Sequence, residues 1–223
     1  VKKIILAGNA ITADILLFYL RQDSRYQIVA ATVDDGFEAA GNIDEVPSIP
    51  LSRLASEFAP GEVLIIMAMG YNDLNRDRAS LFERLRAKGY ALESYIHPDA
   101  RVYSVNPIGE GSIILPGAVV EPHAQVGANT MVWCNATLAH HCKVGDNAWI
   151  ASGAVISGQA VIGANTFLGV NATVVNKVSV GDFNVVGGGA LITKDTKANT
   201  VHLARSAEEL RYSADDYVKF FGV

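Results

Sequence analysis

The sequence predicts an α/β plus all-β fold: a small parallel-sheet domain over residues 1–94, a parallel β-helix over 95–196 and a capping segment with a short helix over 197–223. Three observations predict it. The first ninety-odd residues alternate short apolar runs with runs of helical spacing. From Tyr95 the chain divides into blocks of six, with Ile, Val or Leu always second and a small residue nearly always last. A longer period lies on top, since Ile108-Gly109, Val126-Gly127, Val144-Gly145, Ile162-Gly163 and Val180-Gly181 recur every eighteen residues.

In the first part, "KKIILA" is a strand run ending at Gly8, and "TADILLFYLRQ" follows with helical spacing. "YQIVAATV" is a second strand run, closed by Asp34, Asp35 and Gly36. "PLSRLASEF" reads as a short helix and "EVLIIMAMG" as a buried strand bounded by Gly61 and Gly70. "NRDRASLFERLRAKG" is an amphipathic helix with Gly89 as its C-cap. Strands alternating with helices give a Rossmann-like parallel sheet with both faces covered. The opening "VKKIILAG" is charged and then apolar, but its apolar stretch is short and fits a first buried strand better than a leader.

In the second part, a six-residue repeat is the mark of a parallel β-helix. Each block is one short strand plus a corner, and three blocks close a triangular coil. The aliphatic second residue points inward and stacks on its counterpart one coil away, each worth roughly 1.5–3 kcal/mol when buried. Glycines and small residues fit the corners. The grid is lost at Lys197. "SAEELRYSADDYVKFF" reads as a terminal helix with Ser206 and Glu209 as a capping box, covering the last open coil.

Composition narrows the function. Half of the residues are hydrophobic, 18% are charged and the net charge is −5. Such a chain can build a core, and it lacks the clustered Lys and Arg of a nucleic-acid surface. No run approaches the roughly 20 apolar residues of a membrane-spanning helix. Cys134 and Cys142 make no disulfide framework, which points to a reducing, cytoplasmic setting.

The candidate chemistry lies in "TLAHHCKVG". One coil beyond His140 is Gly158, in the same slot. An imidazole can take a proton from a nucleophile, and a bare glycine amide can steady an oxyanion. Spacing alone fits a solvated corner histidine equally well. His123 and His141 also share a column, so a zinc site is an alternative, although no third histidine falls in place. Cys134 and Cys142 read as packing residues, and Trp133 and Trp149 as flank or interface residues.

An α/β domain followed by hexapeptide repeats carrying "HHCKVG" resembles the sugar acyltransferases of the PglD and NeuD type. The resemblance implies a left-handed β-helix, a homotrimer with active sites between subunits, acetyl-CoA as co-substrate and a nucleotide-linked sugar as acceptor, with no metal. It implies His140 as general base and the Gly158 amide on the thioester carbonyl. Val170 and Gly188 then lie along the CoA groove, and Lys194 either meets a CoA phosphate or is solvated. The chain departs from that pattern at three places. His141 stands where a carboxylate usually follows the histidine. "HLARSA" replaces a Gly-Asn-Pro-Ala ending. Ile11, Thr12 and Ala13 replace a Gly-His-Gly.

Sugar-nucleotide contacts are expected at the carboxyl ends of the first strands, from Gly8, Asp34, Asp35, Gly70, Tyr71 and Asn72. With Gly8 alone of the G-x-G-x-x-G glycines, NAD binding is not expected. Asn75 and Arg76 read equally well as surface of the following helix. A non-catalytic trimeric scaffold binding a nucleotide sugar remains as a third reading.

Overall fold

A computed structural model describes residues 1–37 and 43–222. The N-terminal part contains β1 (Lys2–Ala7), α1 (Ile11–Arg21), β2 (Tyr26–Val33), β3 (Ser48–Pro50), α2 (Leu54–Glu57), β4 (Leu64–Met67), α3 (Arg76–Ala87) and β5 (Ala91–Leu92). The five strands are all parallel, in the order β3-β2-β1-β4-β5. The sheet is apolar on both faces because both are covered. Ile5, Ala30, Ile65 and Met67 pack under α2 and α3, while Ile4, Leu6 and Ile66 face α1.

That second face continues into the rest of the molecule. Leu16, Leu17 and Leu20 of α1 share one buried cluster with Ile113, Leu115, Met131 and Trp149. The two parts are therefore joined by a common core.

From Tyr95 onward, two-residue strands wind into three parallel sheets of seven, six and four strands. Strands eighteen residues apart are hydrogen-bonded neighbours: Met131 lies between Ile113 and Trp149, and Thr137 between Val119 and Val155. The interior of the β-helix is the ladder of second-position residues, from Ile114 and Val120 to Val186 and Ile192, with sixth-position alanines and Cys142 between them. The fifth position of every block from Gly111 to Gly189 is left-handed, with φ between 52° and 72°. Asn and Gly dominate there because they tolerate that conformation best.

The C-terminal expectation needs correction. Val201 and His202 still extend the seven-stranded sheet, but Val201 pairs with Val185, only sixteen residues away. The last coil is thus two residues short, which is why the six-residue grid stops at 196 while the sheet does not. The terminal helix α4 covers only Ala214–Phe221. Its cap is Ser213, which accepts from the Asp216 N–H at 3.1 Å, and not the Ser206/Glu209 pair. Acidic Asp215 and Asp216 in its first turn suit a start at 214. None of its residues is buried, so within one chain it covers no coil.

Candidate active site

His140 and His141 sit on the corner after strand Thr137–Leu138, and Gly158 sits on the same corner one coil on. A Cβ added to Gly158 would lie 2.6 Å from both Nε2 and Cε1 of His140. The imidazole therefore lies directly over the glycine, and the absent side chain makes room for it.

At three fourth positions other than Gly158 a carboxylate receives the exposed N–H, Asp146 from Ala128 at 2.7 Å, Asp182 from Ala164 at 2.7 Å and Glu121 from His140 at 2.7 Å, while the N–H groups of Cys134, Ser152 and Val170 have no acceptor among the described residues. Among the described residues nothing accepts from the Gly158 N–H. An open, oriented amide beside an imidazole is the donor an oxyanion requires.

His141 occupies a left-handed fifth position, at φ 59°. Its Nδ1 lies 3.3 Å from Nδ1 of His140, with the rings edge to face at 81°. One of these nitrogens must donate and the other accept. If His140 donates from Nδ1, its Nε2 is left as the basic nitrogen, on the side of Gly158. The carboxylate expected beside His140 is thus replaced by a second imidazole at the ring and by Glu121 at the backbone. The repeat pattern alone does not single out Glu121. Its sequence signal is its place next to Pro122, one coil before His140.

His123 stacks on His141 at a centroid distance of 4.7 Å and 33°. Among the described residues no three His, Cys, Asp or Glu side chains gather as a metal site. Cys142 is fully buried in the ladder, and burial pushes its thiol up to about 12, so it packs and does not react. Cys134 is half-buried with its Sγ 3.8 Å from the Tyr19 hydroxyl.

Lys194 belongs to the same column as His140 and Gly158, three coils above the histidine, about 14 Å along the axis. Val170 and Gly188 are brought together, since a Cβ at Gly188 would be 3.2 Å from the Val170 carbonyl oxygen. They follow strands of the seven-stranded sheet, however, whereas His140 and Gly158 follow strands of the six-stranded one. Within one chain the two pairs stand on different corners.

A cavity of about 580 Å³ on the β-helix is shallow and lies along the four-stranded sheet, away from these residues. A cavity of about 540 Å³ opens at the carboxyl ends of β1, β2 and β4, lined by Gly8, Asn9, Asp34, Gly70, Asn72 and Arg84 among others. It is the crevice where an open parallel sheet binds ligands. Gly8 is required there: at φ 131°, a Cβ would be 2.7 Å from the Ala68 carbonyl oxygen. Asp34 is held by both terminal nitrogens of Arg84, which keeps its carboxyl below the usual range. Asp35 accepts from the Ser52 hydroxyl and does not line the cavity. Tyr71 also turns away, its ring 5.0 Å from Trp149 and 4.7 Å from Phe167. Trp149 and Trp133, 5.2 Å apart, lie on the flank where the two parts meet.

Asn75 and Arg78 are buried, contrary to a reading of Asn75 as helix surface, while Arg76 is exposed and sits over the Phe183 ring at 4.6 Å. Asp73, Leu74 and Asn75 form a left-handed turn, with φ of 46°, 49° and 65°. For residues with a Cβ that conformation costs about 1–2 kcal/mol each.

Residues 108–140, 123–158 and 141–173 match the family described as bacterial transferase hexapeptide (six repeats). No curated protein matches the chain. Among solved structures, the acetyltransferase domain of PglB from Neisseria gonorrhoeae is 26% identical, with a TM-score of 0.78 over 94% of this chain and 100% of that one. Perosamine N-acetyltransferase from Caulobacter crescentus, solved with CoA and GDP-perosamine, is 22% identical, with a TM-score of 0.81 over 92% and 94%. WeeI from Acinetobacter baumannii is 21% identical, with a TM-score of 0.70 over 90% and 96%. Residues 108–173 thus match hexapeptide repeats, and the chain resembles the PglB acetyltransferase domain and perosamine N-acetyltransferase in fold across both of its parts.

Proposed function

We propose that this protein transfers an acetyl group from acetyl-CoA to an amino or hydroxyl group of a nucleotide-linked sugar. The observation that carries the reading is the His140 imidazole lying over Gly158, whose amide has no protein acceptor. Similarity to the PglB acetyltransferase domain, solved also with acetyl coenzyme A, supports the choice of donor.

His140 Nε2 takes the proton as the sugar nitrogen or oxygen attacks the thioester carbonyl carbon. The Gly158 N–H donates to the carbonyl oxygen as it gains charge. The carbon–sulfur bond then breaks, and the imidazolium returns the proton so that CoA leaves as thiol. His141 accepts from Nδ1–H and holds the ring in the tautomer that keeps Nε2 basic. The α/β cavity takes the nucleotide, through Gly8, Asn72 and the Asp34–Arg84 pair. In a homotrimer, Val170 and Gly188 of one subunit would face His140, Gly158 and Lys194 of the next, forming the CoA groove. Their placement on different corners of one prism supports that arrangement.

The test is a panel of nucleotide-linked amino sugars assayed with acetyl-CoA for thiol release. General-base help is worth about 10²–10⁴-fold. His140→Ala should lose activity on that scale while the coil stays folded. Near-normal turnover in a folded His140→Ala protein would eliminate the mechanism.

A further inference from the structure

The loop that closes the cavity is fastened to the β-helix by a buried cation. Arg78 is completely buried. Its guanidinium donates to the backbone carbonyls of Asn129 and Asn147, the latter at 2.9 Å, and to Asn75 Oδ1 at 2.8 Å. Asn75 Nδ2 in turn donates to the Asn165 carbonyl at 3.3 Å. Asn129, Asn147 and Asn165 are successive left-handed corners of one column, eighteen residues apart. Among the described residues no carboxylate pairs with Arg78: its acceptors are carbonyl oxygens and an amide oxygen, and the Trp149 ring lies 5.8 Å from its guanidinium carbon. Burial lowers its pKa to about 9, still well above neutrality, so the group is charged at pH 7.

This latch lies a quarter-turn round α3 from the cavity wall. Asp77, Ser80, Leu81 and Arg84 face the cavity at helical spacing. On the N-terminal side, the left-handed turn at 73–75 leads back to Asn72 and Gly70, which line the same cavity. A strained turn persists only where its surroundings hold it. Here the holding groups are Asn75 and Arg78.

We propose that Arg78, with Asn75, is a positioning residue that sets the register of the acceptor cavity against the β-helix. It acts through α3 and the 70–75 turn and touches no substrate. The inference rests on the acceptor assignment above. It makes a specific kinetic claim, since the acetyl-CoA groove belongs to the β-helix alone. Loosening the latch should raise KM for the nucleotide sugar about tenfold or more, leaving KM for acetyl-CoA within about twofold.

The test compares Arg78→Lys, Arg78→Met and Asn75→Ala in the full chain. Arg78→Met should show the split, and Arg78→Lys, which keeps charge and donors, should recover part of it. A general folding defect would instead shift both KM values and kcat together, and that outcome overturns the proposal. Hydrogen exchange of segment 70–77 is followed in parallel, because it needs no turnover. Faster exchange there in Arg78→Met, with unchanged protection of the β-helix strands, supports the latch. Equal exchange in all variants refutes it, even if the wild-type chain acetylates no sugar in the panel.

Discussion

The imidazole of His140 rests on the Cα of Gly158, so closely that a methyl group there would sit 2.6 Å from Nε2. The backbone of Gly158 is not in the left-handed region, so this glycine is required by its neighbour and not by its own dihedral angles. Gly158→Ala should therefore fold with little loss of stability and displace the ring. Misplacing a catalytic group by about 1 Å can cost on the order of 10²-fold. The expected result is a fall in kcat of that size with an unchanged melting temperature, read from steady-state kinetics and calorimetry. A large loss of stability instead would mean that the glycine serves the coil.

His141 carries two demands that can be separated by substitution. Its left-handed backbone suits Asn and Asp, while its ring holds Nδ1 of His140 at 3.3 Å. His141→Asp should fold and place a carboxylate beside the imidazole. A carboxylate beside the ring favours its protonated form over the neutral one. The base must be neutral to act, and the acid limb of the kcat/KM profile therefore moves to higher pH. His141→Val should meet a steric cost of about 1–2 kcal/mol, because a β-branched residue is forced into the left-handed region. An acid limb that stays in place in His141→Asp would detach His141 from the base.

These two sites also show how far the sequence could be read. The ladder was legible because burial acts on a single repeating slot: Val144, Ile162 and Val180 are each at most 4% exposed. The pairing of His140 with Gly158 was legible for the same reason, since a fixed coil length turns distance along the chain into position in space. Glu121 escaped because it reaches the His140 amide across nineteen residues, one more than the coil. Arg78 escaped because an arginine in an amphipathic helix normally reads as surface. Only the tertiary fit of α3 against the corners of Asn129 and Asn147 buries it. Their place after a strand suggests Asp35 and Tyr71 as sugar-nucleotide contacts. Local neighbours, Ser52 for one and Trp149 with Phe167 for the other, turn both elsewhere.

The ladder itself predicts large and local costs. Ile150 is completely buried between Val132 and Leu168 on the adjacent coils. The coil above and below cannot close the gap, because each is pinned by backbone bonds such as Trp133 N–H to the Ile150 carbonyl at 2.9 Å. Ile150→Ala should cost about 2–5 kcal/mol, measured by chemical denaturation. An exposed first-position residue such as Lys143 should change stability by less than about 0.5 kcal/mol when replaced by Ala, since it faces solvent.

The Asp34–Arg84 pair links charge to ligand binding in the α/β cavity. Arg84 holds the Asp34 carboxyl below its usual range, and Asp34 contributes an anion that is already paired. A carboxyl with a depressed folded pKa adds stability above its unfolded value, near 3.9, and that contribution fades as pH falls through the folded value. Removing Arg84 lifts the depression and leaves a bare carboxylate on the wall of a cavity assigned to a polyanionic nucleotide. Arg84→Ala should thus weaken nucleotide-sugar binding and move the Asp34 titration up into the ordinary carboxyl range, as followed by NMR. Arg84→Ala with Asp34→Asn should recover part of the affinity, because the repelling charge is gone. If the double variant binds no better than Arg84→Ala, then Arg84 contacts the ligand directly and repulsion by Asp34 is not the cause.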